Sequence, residues 1–228
     1  MKRFFILSLL TTILFSEANC QIQKGALRTG GRISFNTKSD HLERKTSDDS
    51  FLSDFENDFL ALNPQIGVFL TTSFLLGAGI EYEYQYDSFR SSNNGSLNNL
   101  TSEKSSLILF NPYVQKFYAL TDNLFFSPTL NLLIGGGTRK SSGSIDNREG
   151  RVFAYRINVT PELTYFISEK WAVSASIGRI FYNQTNEKRD RDDTYNSDYD
   201  NTDSEYGIDF SLNSFSVGFQ YYLKNKVE

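Results

Sequence analysis

Over residues 74–89 the chain alternates without a break between two kinds of position. Leu76, Ala78, Ile80, Tyr82, Tyr84 and Tyr86 fall on one parity, and Gly77, Gly79, Glu81, Glu83, Gln85 and Asp87 on the other. A period of two belongs to a β-strand, whose successive side chains point to opposite faces. Similar alternation predicts seven more strands, over 25–37, 59–70, 105–119, 124–138, 151–167, 171–182 and 207–223. In the first of these, Leu27, Ile33 and Phe35 oppose Arg28, Arg32 and Ser34; over 151–167, Phe153, Ile157 and Leu163 oppose Arg156, Asn158 and Glu162. The apolar parity slips twice, near Gly178 and between Leu212 and Phe215. Each slip predicts a β-bulge, with a snorkelling Arg179 at the rim as the alternative at the first.

The connections come in two kinds. Short turns near 71–73, 121–123 and 168–170 alternate with polar stretches at 38–58, 90–104, 139–150 and 183–206, which read as long solvated loops. Pro64, Pro112 and Pro161 hold equivalent places in successive two-strand units; propeller blades would need four strands each. A soluble sandwich or lipocalin-like barrel also alternates, but nothing in those folds gathers every long connection at one end. Outward apolar faces edged with tyrosine, inward polar faces and alternating short and long connections predict an all-β fold, an eight-stranded antiparallel transmembrane up-and-down β-barrel.

Composition sharpens this picture. Twenty Phe and 13 Tyr stand beside a mean hydropathy of only −0.40. No stretch of the mature chain is long and apolar enough for a transmembrane helix, so any membrane crossing falls to a closed sheet that pairs all its backbone groups. Lys2 and Arg3 precede an apolar run over 4–15 and a short polar stretch, the pattern of a secretory signal peptide. Cleavage is expected before Gln21, leaving a barrel domain over 21–228; the single cysteine, Cys20, raises lipid modification as the alternative. Cleavage leaves no cysteine, so an exported domain without disulfides is expected. A formal charge of −4 argues against a nucleic-acid partner.

Eight strands enclose a lumen that side chains fill. The inward parity carries Arg28, Arg32, Glu81, Glu83, Asp87, Arg156 and Glu162, both signs of charge on neighbouring walls. A paired network satisfying a polar core is expected, with a narrow ion path as the alternative. The one histidine, His41, sits among charges in the first predicted loop, without the strand-borne serine and carboxylate that a lipid-modifying enzyme would need. No catalytic site and no cofactor are expected. In the last predicted loop Asp198, Asp200, Asp203 and Glu205 offer oxygen ligands for Ca²⁺, but without the glycine turn and ligand order of an EF-hand. A solvated acidic loop is the plainer reading.

Asn-Pro-x-Ile-Gly-x-Phe at 63–69, Thr-Pro-x-Leu-x-Tyr-Phe at 160–166 and the aromatic ending Val217-Gly218-Phe219-Gln220-Tyr221-Tyr222-Leu223 resemble the small outer-membrane β-barrel family of Gram-negative bacteria, porin-like or OmpA/OmpX-like. The resemblance spans nearly all of the mature chain. It implies a monomeric outer-membrane barrel among lipids and lipopolysaccharide, inserted by the outer-membrane assembly machinery, with a structural or surface-interaction role. Many barrels of that family end on a terminal aromatic. Here Lys224 to Glu228 follow Leu223, which leaves the details of assembly recognition open.

Overall fold

The computed structural model describes residues 22–45, 50–93, 96–143, 147–189, 199–210 and 215–223. The predicted leader lies outside them. Thirteen strand segments among the described residues form one antiparallel sheet. They are β1 (Leu27–Lys45), β2 (Ser50–Phe69), β3 (Phe74–Asn93), β4 (Ser96–Lys116), β5 (Tyr118–Ala119), β6 (Leu124–Phe126), β7 (Thr129–Gly143), β8 (Asn147–Thr160), β9 (Glu162–Phe166), β10 (Trp171–Ser176), β11 (Arg179–Arg189), β12 (Tyr199–Asp209) and β13 (Ser216–Leu223). Consecutive long segments pair up and down, and β1 pairs with β2 along one edge and β13 along the other. Beyond Ser34, β1 pairs with β2 alone, while β12 pairs with β11.

The interruptions between segments have local causes. Pro161 separates β8 from β9 and Pro128 lies between β6 and β7, because proline supplies no donor to a ladder. Between β10 and β11, Gly178 takes φ +81°, a left-handed conformation open to glycine. This is the bulge that the slipped parity predicts. Past it Ile180 returns to the exposed face, while Arg179 turns inward and lines the central cavity. The second parity slip falls at 211–214, outside the described residues. On either side of it Ile208 and Phe210, then Val217 and Phe219, are all exposed.

Burial is inverted relative to a water-soluble protein. Ile66, Ile80 and Ile108 are 56–61% exposed, whereas Asn111, Gln115, Ser127 and Thr164 are at most 1% exposed. The outward aliphatic positions form a belt. Phe35, Tyr82, Phe153, Tyr182 and Tyr206 edge it towards the long hairpins, and Tyr165, Trp171 and Phe219 edge it towards the short turns. Trp171 stacks on Phe219 with ring centroids 4.9 Å apart.

The four stretches predicted as loops are corrected. Strand pairing continues through most of 38–58, 90–104, 139–150 and 183–206, as in Lys38↔Asn57 and Asn186↔Thr202. Apart from Leu42, Phe51, Phe55, Phe89 and Leu100 these hairpins are polar on both faces, so their sequence keeps no sustained hydrophobic period even though their backbones remain in register. Twenty residues at about 3.3 Å each span roughly 65 Å, against an apolar band of about 25 Å; the polar halves therefore stand clear of the belt.

Candidate functional site: the polar lumen and its aromatic floor

The inward parity of the curved sheet encloses a lumen whose lower end, beside the short turns, is filled by rings. Phe69 contacts Phe117 and Phe117 contacts Phe125, at centroid distances of 5.3 and 6.2 Å. Phe125 meets Phe166 at 5.3 Å, Phe166 meets Tyr222 at 4.9 Å, and Tyr222 returns to Phe69 at 6.0 Å. The five rings close a circuit. Ile22, Ala26, Leu75 and Ala172 pack against them, all at most 4% exposed. Ile22 and Ala26 precede β1, so the start of the described chain folds under the sheet and into its floor; Gly25 N–H donates to the Phe69 carbonyl at 2.8 Å.

Directly tied to this floor is Arg28, 3% exposed. Its guanidinium donates to Tyr113 Oη at 2.6 Å, to Gln65 Oε1 at 3.2 Å and to Gln115 Oε1, and lies over the Tyr113 ring, 5.1 Å from its centroid. Tyr113 in turn donates to the Ile66 carbonyl at 3.2 Å. The ring has room because β2 and β3 present glycine there. A Cβ on Gly77 would fall inside van der Waals contact with the Tyr113 ring and 2.5 Å from the Ile66 carbonyl oxygen. Gly77→Ala is therefore expected to lose about 1–3 kcal/mol of stability through overpacking. Combined with Tyr113→Ala it should cost less than the two single losses added, as urea titrations of lipid-refolded protein will measure. Strict additivity would mean that the ring does not press on Gly77.

Of the seven inward charges expected from the sequence, the structure joins some and separates others. Gln115 carries the chain onward from Arg28, donating through Nε2 to Glu162 Oε1 at 3.0 Å, and Glu162 faces Arg32 at 3.5 Å. Arg32 also donates to Asn131 Oδ1 at 2.9 Å. Higher up, Arg156 on β8 crosses the lumen to ion-pair with Glu83 on β3. Glu81 accepts from Asn63 at 2.5 Å. Asp87 sits nearer the hairpin end among amides, accepting from Asn57 and, at 2.9 Å, from Gln85. The arrangement is a relay through Gln115, one cross-lumen pair, and two carboxylates held by amides. Above them Arg139 on β7 bridges Glu103 on β4 and Glu187 on β11 at 3.1 and 3.0 Å.

Sequence parity turns Gln115 inward but does not reveal that it joins Arg28 to Glu162, and sequence reasoning missed Tyr113, Arg139 and the five floor rings. A signal was available for the rings: an aromatic on the inward parity flanks each short turn, Phe69 before the first, Phe117 and Phe125 about the second, and Phe166 before the third. The remaining candidates lie outside the lumen. His41 belongs to β1, not to a loop, and its Nδ1 lies 2.5 Å from Asp54 Oδ1 on an exposed cross-strand pair. Asp198 lies outside the described residues. Asp200, Asp203 and Glu205 lie on β12, where Asp200 pairs with Lys188 at 3.4 Å. Among the described residues no group of three or more metal-ligating side chains converges.

No family model matches the sequence. No curated protein matches it. Among solved structures the chain is similar to the outer membrane protein OprG from Pseudomonas aeruginosa, at 11% identity over 91% of this chain and 100% of that one, with a TM-score of 0.39. It is similar to the translocator domain of the autotransporter NalP from Neisseria meningitidis, at 10% identity over 98% and 95% of the two chains and a TM-score of 0.33. It is similar also to the toluene transporter TbuX from Ralstonia pickettii, at 8% identity over 93% of each and a TM-score of 0.27.

Proposed function

We propose that this chain is an integral outer-membrane β-barrel of eight strands, of the OmpA/OmpX-like kind, that serves as a non-catalytic structural or surface-interaction protein with a lumen sealed at its turn end. The strand count rests on merging segments that continue one another across a short break: β4 with β5, β6 with β7, β8 with β9, β10 with β11, and β12 with β13. The β1–β13 ladder then joins first strand to last, and a sheet so joined has no lower edge left unpaired in lipid. The observation that carries the reading is the inversion of burial, with an aliphatic belt between two aromatic edges outside and hydrogen-bonded amides and charges inside. Long polar hairpins at the far end supply the surface that would meet partners.

Heat-modifiability tests barrel and location together. Detergent-extracted membrane fractions should contain a band whose migration differs between boiled and unboiled samples; identical migration, with the chain in the soluble fraction, would sink the proposal. The closed circuit of floor rings supports a non-conducting lumen over a narrow solute channel. Pure protein in planar bilayers is accordingly expected to give no stable large single-channel steps. Reproducible porin-sized conductance would overturn that part. For the absence of catalysis, the support is that His41 faces solvent beside Asp54, away from the belt where lipid substrates would lie.

A further inference from the structure

Between the aromatic floor and the Arg139 bridge the lumen holds a cavity of about 350 Å³, the low end of the size range of small-molecule sites. Much of the charge on its wall is already matched: Arg156 binds Glu83, and Arg32 is shared between Glu162 and Asn131. Two groups of opposite sign are not. Arg179 has the Phe181 ring against its guanidinium, 4.9 Å to the centroid, and Glu81 has the Asn63 amide; among the described residues neither forms an ion pair. Asp209, across the ladder from Arg179, lines the cavity too but makes no ion pair with it. A ring face uses none of the guanidinium N–H donors, and an amide leaves a carboxylate its charge. Both side chains line the cavity and are only half-buried. Of the Arg179 nitrogens only Nε is enclosed, so the terminal Nη atoms are the ones a solute meets.

The register sets these two groups against each other. The ladder from Glu83 runs through Leu107 and Gly137 to Val152, yet the residue that Glu83 meets across the lumen is Arg156, nearer the short turns. Tilted strands stagger steadily round a barrel wall, here by about four residues over three pairings. The ladder from Glu81 runs through Leu109, Gly135 and Ala154 to Thr185. Over four pairings the same stagger amounts to about five or six residues, which leads down β11 from Thr185 to Arg179. Four pairings are half of an eight-strand circuit, so Glu81 and Arg179 stand at one level on opposite walls. The Gly178 bulge makes this possible. Without it Arg179 would share the outward parity of Ile177, and with it the guanidinium turns into the cavity.

A charge left unmatched in a poorly solvated place is costly. An anion would answer Arg179 alone and a cation Glu81 alone, each leaving the opposite wall as it was. One molecule that carries both complements answers both. We propose that the lumen cavity binds a small zwitterion of amino-acid size, its carboxylate on the Arg179 guanidinium and its ammonium on Glu81, entering from the hairpin end because the floor is closed. The proposal rests on the eight-strand barrel reading above, and heat-modifiability of the same samples reports on that reading separately.

The experiment is a titration of refolded protein in micelles with glycine and with 4-aminobutyrate, and in parallel with acetate, methylammonium and glucose, following the Gly178 backbone amide and the Asn63 side-chain amide by NMR. Expected is saturation of both signals by a zwitterion at roughly millimolar concentration, with acetate and methylammonium about tenfold weaker or worse and glucose inert. Saturation by 4-aminobutyrate alone would meet the proposal with the longer reach between the charges. Arg179→Gln and Glu81→Gln should each weaken zwitterion binding about tenfold or more, and Lys140→Gln, in an exposed hairpin pair with Glu149, should not. Heat-modifiable protein that shows no saturable shift with either zwitterion, or that takes acetate, methylammonium or glucose as tightly, would overturn the proposal. That comparison uses the unaltered protein and so stands even where a variant fails to fold. Zwitterion binding unchanged in folded Arg179→Gln or Glu81→Gln would overturn it as well.

Discussion

Glu83→Gln should cost the folded protein about 3 kcal/mol, and most of that loss should vanish when Arg156→Gln is made as well. Glu83 and Arg156 meet across the lumen with side chains only 7% and 18% exposed. Removing one partner of such a pair strands the other charge in a poorly solvated place, which typically costs 3–5 kcal/mol, while removing both is far cheaper. The lower end of that range applies because Glu81 lies two residues along on the same wall and is relieved of a like-charged neighbour. Urea titrations of the two single variants and the double variant in lipid vesicles will measure the coupling. Cycles pairing Glu83 with Arg28 or with Arg32 should instead be close to additive, since Arg28 is held by Gln115, Gln65 and Tyr113, and Arg32 by Glu162 and Asn131. Additivity with Arg156, or strong coupling with Arg28, would contradict the arrangement of charges in the lumen.

The second large effect is expected on the outside. Ile80 is 56% exposed on the aliphatic belt, between Ala78 and the edge residue Tyr82 on the same parity. Placing arginine there should lower stability in a bilayer by about 2 kcal/mol, less than a cation costs at the midplane of a transmembrane barrel and more than it costs at the interfaces. Leu132 on β7 should behave alike. Gln85→Arg, on the inward parity beside Asp87, should cost clearly less, because the new cation gains a carboxylate neighbour and water. If folding titrations ranked these three the other way, the faces of the sheet would be inverted, and with them the proposed location.

The faces were legible because the alternation on β1, β2, β3 and β8 is strict and the side chains are opposite in chemistry: Ile66 next to Gln65, and Ile157 next to Arg156, leave no doubt which side seeks hydrocarbon. The slip at Gly178 was legible for the same reason, as a local failure of a clear rule. The outer halves of the hairpins were not. Pairs such as Lys38↔Asn57 put polar groups on both sides of the ladder, and a strand wet on both faces carries no period to read. The lumen contacts were hidden differently. Parity says that Arg28, Glu162 and Gln115 all point inward, but which of them touch depends on register across strands that are distant in sequence, as with Gln115 and Glu162, 47 residues apart. Nor does parity reveal that Gly77 is glycine for the sake of a tyrosine on the neighbouring strand.

The floor has a consequence for how the molecule is made. Each of its five rings is delivered from a different strand end, and the contact that closes the circuit, Tyr222 with Phe69, joins the final segment to the second. Contacts between residues so far apart in sequence form late, after the loop-closure entropy of the intervening chain has been lost. A chain whose last strand has not yet docked lacks Tyr222 from the circuit and leaves an open slot beside Phe166 and Phe69. Completion of the wall and completion of the ring circuit are thus a single event: until the final strand arrives the floor has a gap where Tyr222 belongs, and docking of that strand fills it.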